Sequence, residues 1–208
     1  MSFFPNRPYR DCTEFADAYF EQLCLAFQTV LPAALSDAAA LIENVVHKDG
    51  NLFSCGNGGS AAIANHLLCD WLKGAAVGSA VRPRVHTLSS ASELITALAN
   101  DVGVEEIFAH PLRSLARTGD LLIAISSSGA SANIVRAIET AQATGMSVIA
   151  LTGFDGGPAA RLADVSLHVS SYNYGVVEDV HQSLMHILAQ YLRQSNLQHP
   201  DTLGKITF

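Results

Sequence analysis

Apolar and polar positions along the chain follow two rhythms. In the first part Phe15, Tyr19, Leu23 and Phe27 recur at helical spacing, and Leu35, Ala38, Ala39, Ile42, Val45 and Val46 form a second apolar stripe. Pro32 sits near the break between them and suits a helix start. After Asp49-Gly50 the rhythm changes to short apolar runs at 52–55, 84–88, 121–126, 146–151 and 165–169. The segments between them, such as 132–143, have helical periodicity. Alternation of this kind predicts a parallel sheet covered on both faces by helices. A last helix is expected over about 177–194, followed by a polar tail containing Pro200. There is no internal repeat and no low-complexity segment.

Composition narrows the picture. The chain has 208 residues, enough for one domain with a substantial core. Hydrophobic residues make up 49% and charged residues 15%, an apolar balance that points to burial between copies of the chain. No apolar run has the length of a membrane span, and the start lacks the charged-then-apolar order of a signal peptide. A cytoplasmic protein is expected. Cys12, Cys24, Cys55 and Cys69 show no paired spacing and read as reduced thiols. A formal net charge of −7 without a basic cluster argues against direct binding of nucleic acid.

In an open parallel sheet, ligands sit beyond the carboxyl ends of the strands. Three loops occupy that position. Gly56-Asn57-Gly58-Gly59-Ser60 lacks the Lys-Ser/Thr pair of a P-loop. It fits the loose GxGxxG/A pattern, but the next strand ends in Leu88-Ser89-Ser90 with no acid to meet a ribose, which argues against a dinucleotide site. What remains is a glycine turn that admits a ligand close to the backbone, then a helix N-terminus near Ser60 suited to a phosphate or polyol oxygen. The second loop, Ser126-Ser127-Ser128-Gly129-Ala130-Ser131, offers hydroxyl donors ahead of another helix. It could hold a phosphate without Lys or Arg; the alternative is a serine-rich cap with no ligand. The third loop, 152–157, reads as a structural glycine turn.

Polar residues on helix faces are less decisive. His66 and Asp70 are four residues apart and share a face, as do Glu178, Gln182 and His186 on the last helix. Two histidines and two carboxylates could bind a divalent metal such as zinc. The same spacing is common in ordinary surface hydrogen bonds, so it leaves the point open. His181 lies off that line and reads as structural, and Trp71 as core or interface.

In order along the chain, GNGGS, His66 with Asp70, ALAND at 97–101, ISSSGAS, ALTGFDGG and the terminal EDVHQSLMH resemble the sugar isomerase (SIS) domain family, and within it the phosphoheptose isomerases. The likeness runs from about Ala38 to Arg193. It implies an α/β three-layer sandwich around a parallel five-stranded, flavodoxin-like sheet, divided as a helical extension (1–36) for oligomerisation, a phosphosugar-binding domain (37–195) and a tail (196–208). It implies an aldose-ketose isomerase, usually a homotetramer, that takes sedoheptulose 7-phosphate to the heptose 7-phosphate used in bacterial surface polysaccharide. By position, Ser60, Ser126, Ser127, Ser128 and Ser131 would hold the phosphate. Asn57, Gly58 and Asp101 would contact the sugar. His66, Asp70, Glu178 and His186 fall where the family places zinc ligands and its acid/base pair.

The chain departs from the family pattern in three places: Asp70 stands for glutamate, Glu178 for glutamine, and Gly175 for an aspartate. Length and charge thus shift from one helix to the other, and the site keeps two histidines. Asp70 or Glu178 is expected as the base and His186 as the proton donor, with zinc polarising the carbonyl. Non-catalytic SIS proteins, which sense phosphosugars or bind the replication initiator DnaA, are the rival class.

Overall fold

The computed structural model describes residues 3–207. Two helices come first, α1 (Cys12–Phe27) and α2 (Pro32–His47). The start of α1 is capped by Asp11, whose carboxylate accepts from the Glu14 amide, and α2 opens on Pro32, which has no amide hydrogen to leave unpaired. The alternating part follows as β1 (Asn51–Gly56), α3 (Gly59–Cys69), β2 (Arg84–Thr87), α4 (Ser92–Asp101), α5 (Ala109–Leu115), β3 (Leu121–Ser126), α6 (Ala132–Thr144), β4 (Ser147–Thr152), α7 (Gly157–Leu162), β5 (Val165–His168) and α8 (Tyr174–Ser195). The helix α3 runs directly into a wider π-helical turn over Asp70–Ala75. These bounds agree with the periodicity to within a few residues, the usual uncertainty of element ends. The expected division at 36/37 falls inside α2.

All neighbouring strands are parallel, in the order β2-β1-β3-β4-β5. This is the doubly wound order in which the chain reverses direction between β1 and β3, leaving a crevice at their carboxyl ends. The central strand β3 is buried throughout, which explains its unbroken apolar run. Alternate residues of the strands feed two cores. Leu52, Leu121, Ile123, Ile125 and Leu151 face α2, α3 and α8, whereas Phe53, Cys55, Leu122, Ala124 and Ala150 face the α4–α7 side. Three layers result, as the sequence predicts.

The outer helix α1 lies against α8, where the Tyr19 hydroxyl donates to Asp179 at 2.6 Å. Trp71 belongs to the core, fully buried. Among the described residues all four cysteines are free thiols, with Cys55 buried and the others exposed.

Candidate active site

Two glycine- and serine-bearing loops meet at the β1/β3 crevice. Gly58, with φ of +53°, turns the chain from β1 into α3 and brings Gly59 and the buried Ser60 to the mouth of the crevice. The serine loop follows β3 directly. The two are tied by a reciprocal pair of amide hydrogen bonds between Asn57 and Asn133, both 2.9 Å. The cleft between them has a volume of about 270 Å³. Asn57, Gly58, Ser60, Ser126, Ser127, Ser128 and Ser131 all line it, together with Tyr174 and Glu178 from α8. No Lys, Arg or His is among the lining residues. Among the described residues the buried Ser127 hydroxyl has no hydrogen-bond partner. A buried hydroxyl left unpaired costs about 1–3 kcal/mol, so a ligand that accepts from it gains by that amount. The N-termini of α3 and α6 add amide hydrogens and positive dipole ends, which suits an anion.

The third loop is a buttress. The Gly153 amide donates to Ser127 O at 2.9 Å and the Ala159 amide to Gly129 O at 2.9 Å. A Cβ on Gly129 would lie 1.9 Å from Gly156 O, so the two glycine turns pack backbone on backbone. Glycine chemistry at 152–157 therefore holds the serine loop in shape, which accords with its structural reading.

A second polar group lies farther along the same two helices. His66 near the end of α3, Asp70 at the first residue of the π turn and His186 on α8 bring one ligand atom each within 4.8 Å of one another. The Asp70 carboxylate meets both rings, His186 Nδ1 at 2.6 Å and His66 Nε2 at 3.3 Å. Gln182 fills the gap, with its amide nitrogen 3.0 Å from His186 Nε2 and 3.2 Å from His66 Nδ1. With a donor facing both of those ring nitrogens, each accepts there, and each ring turns its N–H towards Asp70. His66, Asp70 and His186 each offer one ligand atom to a divalent metal ion, which would take the place of the ring contacts with Asp70.

Two expected site residues stand elsewhere. Glu178 is outside the three-residue cluster and projects into the serine cleft, where a Cβ on Gly59 would lie 2.3 Å from Glu178 Oε2. Eight residues along α8 separate it from His186, a rise of about 12 Å. Asp101 is exposed at the end of α4, bonded to the neighbouring Asn100, and does not line the cleft. Conversely, Gln182 and Asn133 were not expected as site residues. Gln182 shares a face with Glu178 and His186, and that spacing is the signal that could have found it. At Gly175, the position without the family's aspartate, an added Cβ would meet the Tyr19 hydroxyl at 3.0 Å.

A model of the SIS domain matches residues 17–153. The chain belongs to the SIS domain family. The phosphoheptose isomerase of Shewanella sediminis (strain HAW-EB3) is 37% identical to this SIS protein over 161 residues, which are 76% of this chain and 81% of that one. Among solved structures, phosphoheptose isomerase GmhA from Neisseria gonorrhoeae superposes with a TM-score of 0.80 at 32% identity, covering 88% of this chain and 98% of its own. A phosphoheptose isomerase from Francisella tularensis gives 0.81 at 31% identity, covering 88% and 99%.

The SIS chain also holds a histidine with a purely structural post. His181 is completely buried, and its Nε2 lies 3.1 Å from the carbonyl oxygen of Thr152 at the end of β4. That contact seats α8, and with it Gln182 and His186, against the sheet. Burial pushes the His181 pKa down to about 4. An unfolded histidine titrates near 6.5, so between these values the unfolded chain binds a proton that the folded one refuses. The contribution is present above about pH 6.5 and is lost as pH falls towards about 4. Lowering the pH from 7 to 5 is expected to remove about 2 kcal/mol through this group. Urea melts of the wild type and His181→Gln at both pH values check it. The variant should lose visibly less stability on acidification, and equal losses would rule His181 out as the source.

Proposed function

We propose that this SIS protein is a phosphosugar aldose-ketose isomerase, with sedoheptulose 7-phosphate as substrate and a heptose 7-phosphate for surface polysaccharide as product. The observation that carries the reading is the pairing of an anion cleft with a distinct acid/base cluster on the same two helices. Ser60 and His66 are six residues apart on α3, about 9 Å of rise, and Glu178 and His186 about 12 Å on α8. A substrate with its phosphate at one end and its carbonyl at the other, separated by a chain of hydroxylated carbons, spans that interval. The named relatives act as support for the choice of a heptose.

The phosphate binds at the serine loop, where Ser127, Ser128 and Ser131 supply hydroxyls and α6 supplies amides. Asp70 is the base that removes the proton from the carbon beside the carbonyl, giving an enediol. His186, whose N–H faces Asp70, is the complementary donor that protonates the carbonyl oxygen. Asp70 then returns its proton to the adjacent carbon while His186 takes back a proton from that carbon's neighbouring enediol hydroxyl, which becomes the new carbonyl. Gln182 holds both imidazoles in one tautomer. His66, Asp70 and His186 would hold zinc, which when bound supplies a Lewis acid for the carbonyl oxygen. Sealing the cleft from water falls to a second subunit. Exposed Phe15, Phe20, Leu25 and Phe27 on α1, with Ile187 and Tyr191 on α8, form the apolar surface for a homotetramer. No single helix among the described residues is long and apolar enough to cross a membrane, and we place the protein in the cytoplasm.

The test is turnover of sedoheptulose 7-phosphate by the purified protein, with and without added zinc. Aldoheptose phosphate formed in a metal-dependent way is the expected result. Binding without product would move the protein to another phosphosugar or to the sensing class. Neither product nor binding would leave the partner-protein reading.

A further inference from the structure

The edge strand β2 stops short of the point where its neighbour β1 still needs a partner. Ser54 lies opposite Thr87, and the Leu88 amide donates to Ser54 O at 2.8 Å. In a strand the amide and carbonyl of one residue point to the same side, and every second residue turns them to the same neighbour. Gly56, two residues after Ser54, therefore presents both groups towards β2, and the register carried on by two places sets Ser89 opposite it. The strand itself ends at Thr87. The Ser89 side chain takes over: its hydroxyl accepts from the Gly56 amide at 3.0 Å and donates to the Gly56 carbonyl at 2.9 Å. A hydroxyl carries a donor and two acceptor sites on one atom, so it serves both groups at once.

Ser89 is in turn held from the helix that follows β1. Asn65 on α3 has its side-chain nitrogen 3.5 Å from Ser89 O, and its side-chain oxygen accepts from the Thr87 hydroxyl at 2.7 Å. On its other side Gly56 packs backbone on backbone against the cleft, since a Cβ there would lie 2.4 Å from Ser60 O. The next residue, Asn57, is bonded to Asn133 on α6. The buried Gly56 thus stands between Ser89 and two residues that line the cleft, Asn57 and Ser60. We infer that Ser89 is a positioning residue for the phosphosugar cleft: its hydroxyl fixes the end of β1, and through it the placement of Asn57 and Ser60. The inference rests on the phosphosugar reading and deepens it. Ser89 is not among the lining residues and acts only through Gly56. Without the hydroxyl a buried amide and carbonyl lose their partner, and the end of β1 must move or admit water to satisfy them. Asn57 and Ser60 then lose their fixed distance from the serine loop. Asp70 and His186 are spared, because they stand farther along, on the π turn and on α8.

The experiment measures kcat and KM for sedoheptulose 7-phosphate, its Kd by calorimetry and the melting temperature, on the full chain as wild type, Ser89→Ala, Ser89→Cys and Ser89→Thr. Ser89→Ala should raise KM and Kd by about tenfold or more, the scale of two hydrogen bonds lost at buried groups, while kcat stays within about threefold. Threonine keeps the hydroxyl and should restore both constants to within about threefold of the wild type. Cysteine, a weaker donor and acceptor at the same place, should fall between the two and decides the matter if the alanine variant does not fold. A lowered melting temperature with KM and Kd unchanged overturns the inference, since Ser89 would then serve stability alone and the phosphosugar reading would stand. A folded Ser89→Thr that binds as weakly as Ser89→Ala also overturns it, because the hydroxyl would not be the cause. A wild type that binds without turnover leaves Kd to decide by the same criteria. A wild type that neither binds nor converts the sugar phosphate overturns the phosphosugar reading and the inference with it.

Discussion

Replacing His186 with alanine is expected to lower kcat by a factor on the order of 10² to 10⁴, the usual contribution of a positioned acid or base. The ring makes the shorter contacts of the two histidines, with Asp70 at 2.6 Å and Gln182 at 3.0 Å. Its removal takes away the ring nitrogen that faces Asp70 and the one that faces Gln182 in the same step. The KM for the sugar phosphate should change much less, because the proposed phosphate position is the serine cleft rather than this end of α8. The side chain is partly exposed, so far-UV circular dichroism of the variant should match the wild type. Steady-state kinetics decides: unchanged kcat would remove His186 from the proton transfers.

Gly129→Ala should be the most damaging substitution for the fold of the site. Gly129 has φ of +62°, where a side chain is strained, and its Cβ would lie 1.9 Å from Gly156 O and 2.6 Å from Gly156 C. Both obstacles are backbone, so no side chain can rotate out of the way. Relief requires the serine loop and the 152–157 turn to part, breaking the bonds from Gly153 to Ser127 and from Ala159 to Gly129. The expected cost is about 3 kcal/mol or more, a large share of a typical stability of about 5–15 kcal/mol. Affinity for the sugar phosphate should fall at least about tenfold, since the serines lose their arrangement. Gly58→Ala is the matched comparison: φ is +53° there, but nothing lies within 4 Å of the added carbon. It should cost only the conformational strain, about 1–3 kcal/mol. Thermal melts of the two variants separate steric conflict from backbone strain, and equal melting temperatures would show that the packing of the two turns carries no weight.

Much of this architecture could be read from the chain before any coordinates. Five apolar runs separated by helical patterns are enough for a parallel sheet, because each strand needs a crossover and each face needs cover. The two loops beyond β1 and β3 were legible for the same reason: strands set the end of the sheet at which ligands bind, and glycine and serine are the residues that admit an anion there. His66 and Asp70 were legible as a pair, since four residues on a helix bring side chains to one face. Asp101 was different. Its family position put it with the sugar contacts, yet α4 carries it away from the cleft within the single chain.

The sequence by itself determined the order of elements, the glycine- and serine-bearing loops at the strand ends and the sharing of helix faces, because these depend on local spacing and residue chemistry. It could not determine which polar residue of α8 meets α3. Glu178, Gln182 and His186 follow one another at fourfold spacing, so periodicity presents all three equally. Only the tertiary structure distributes them: Glu178 to the serine cleft, Gln182 between the imidazoles, His186 to Asp70. The reason is the sliding register of α8 against α3. That register is fixed by Val176, Val177, Val180, Leu184 and Leu188 packing into the core and by His181 meeting the end of β4. Each turn of helix advances about 5.4 Å, so one turn of difference in that packing would have sent a different side chain to His66 and Asp70.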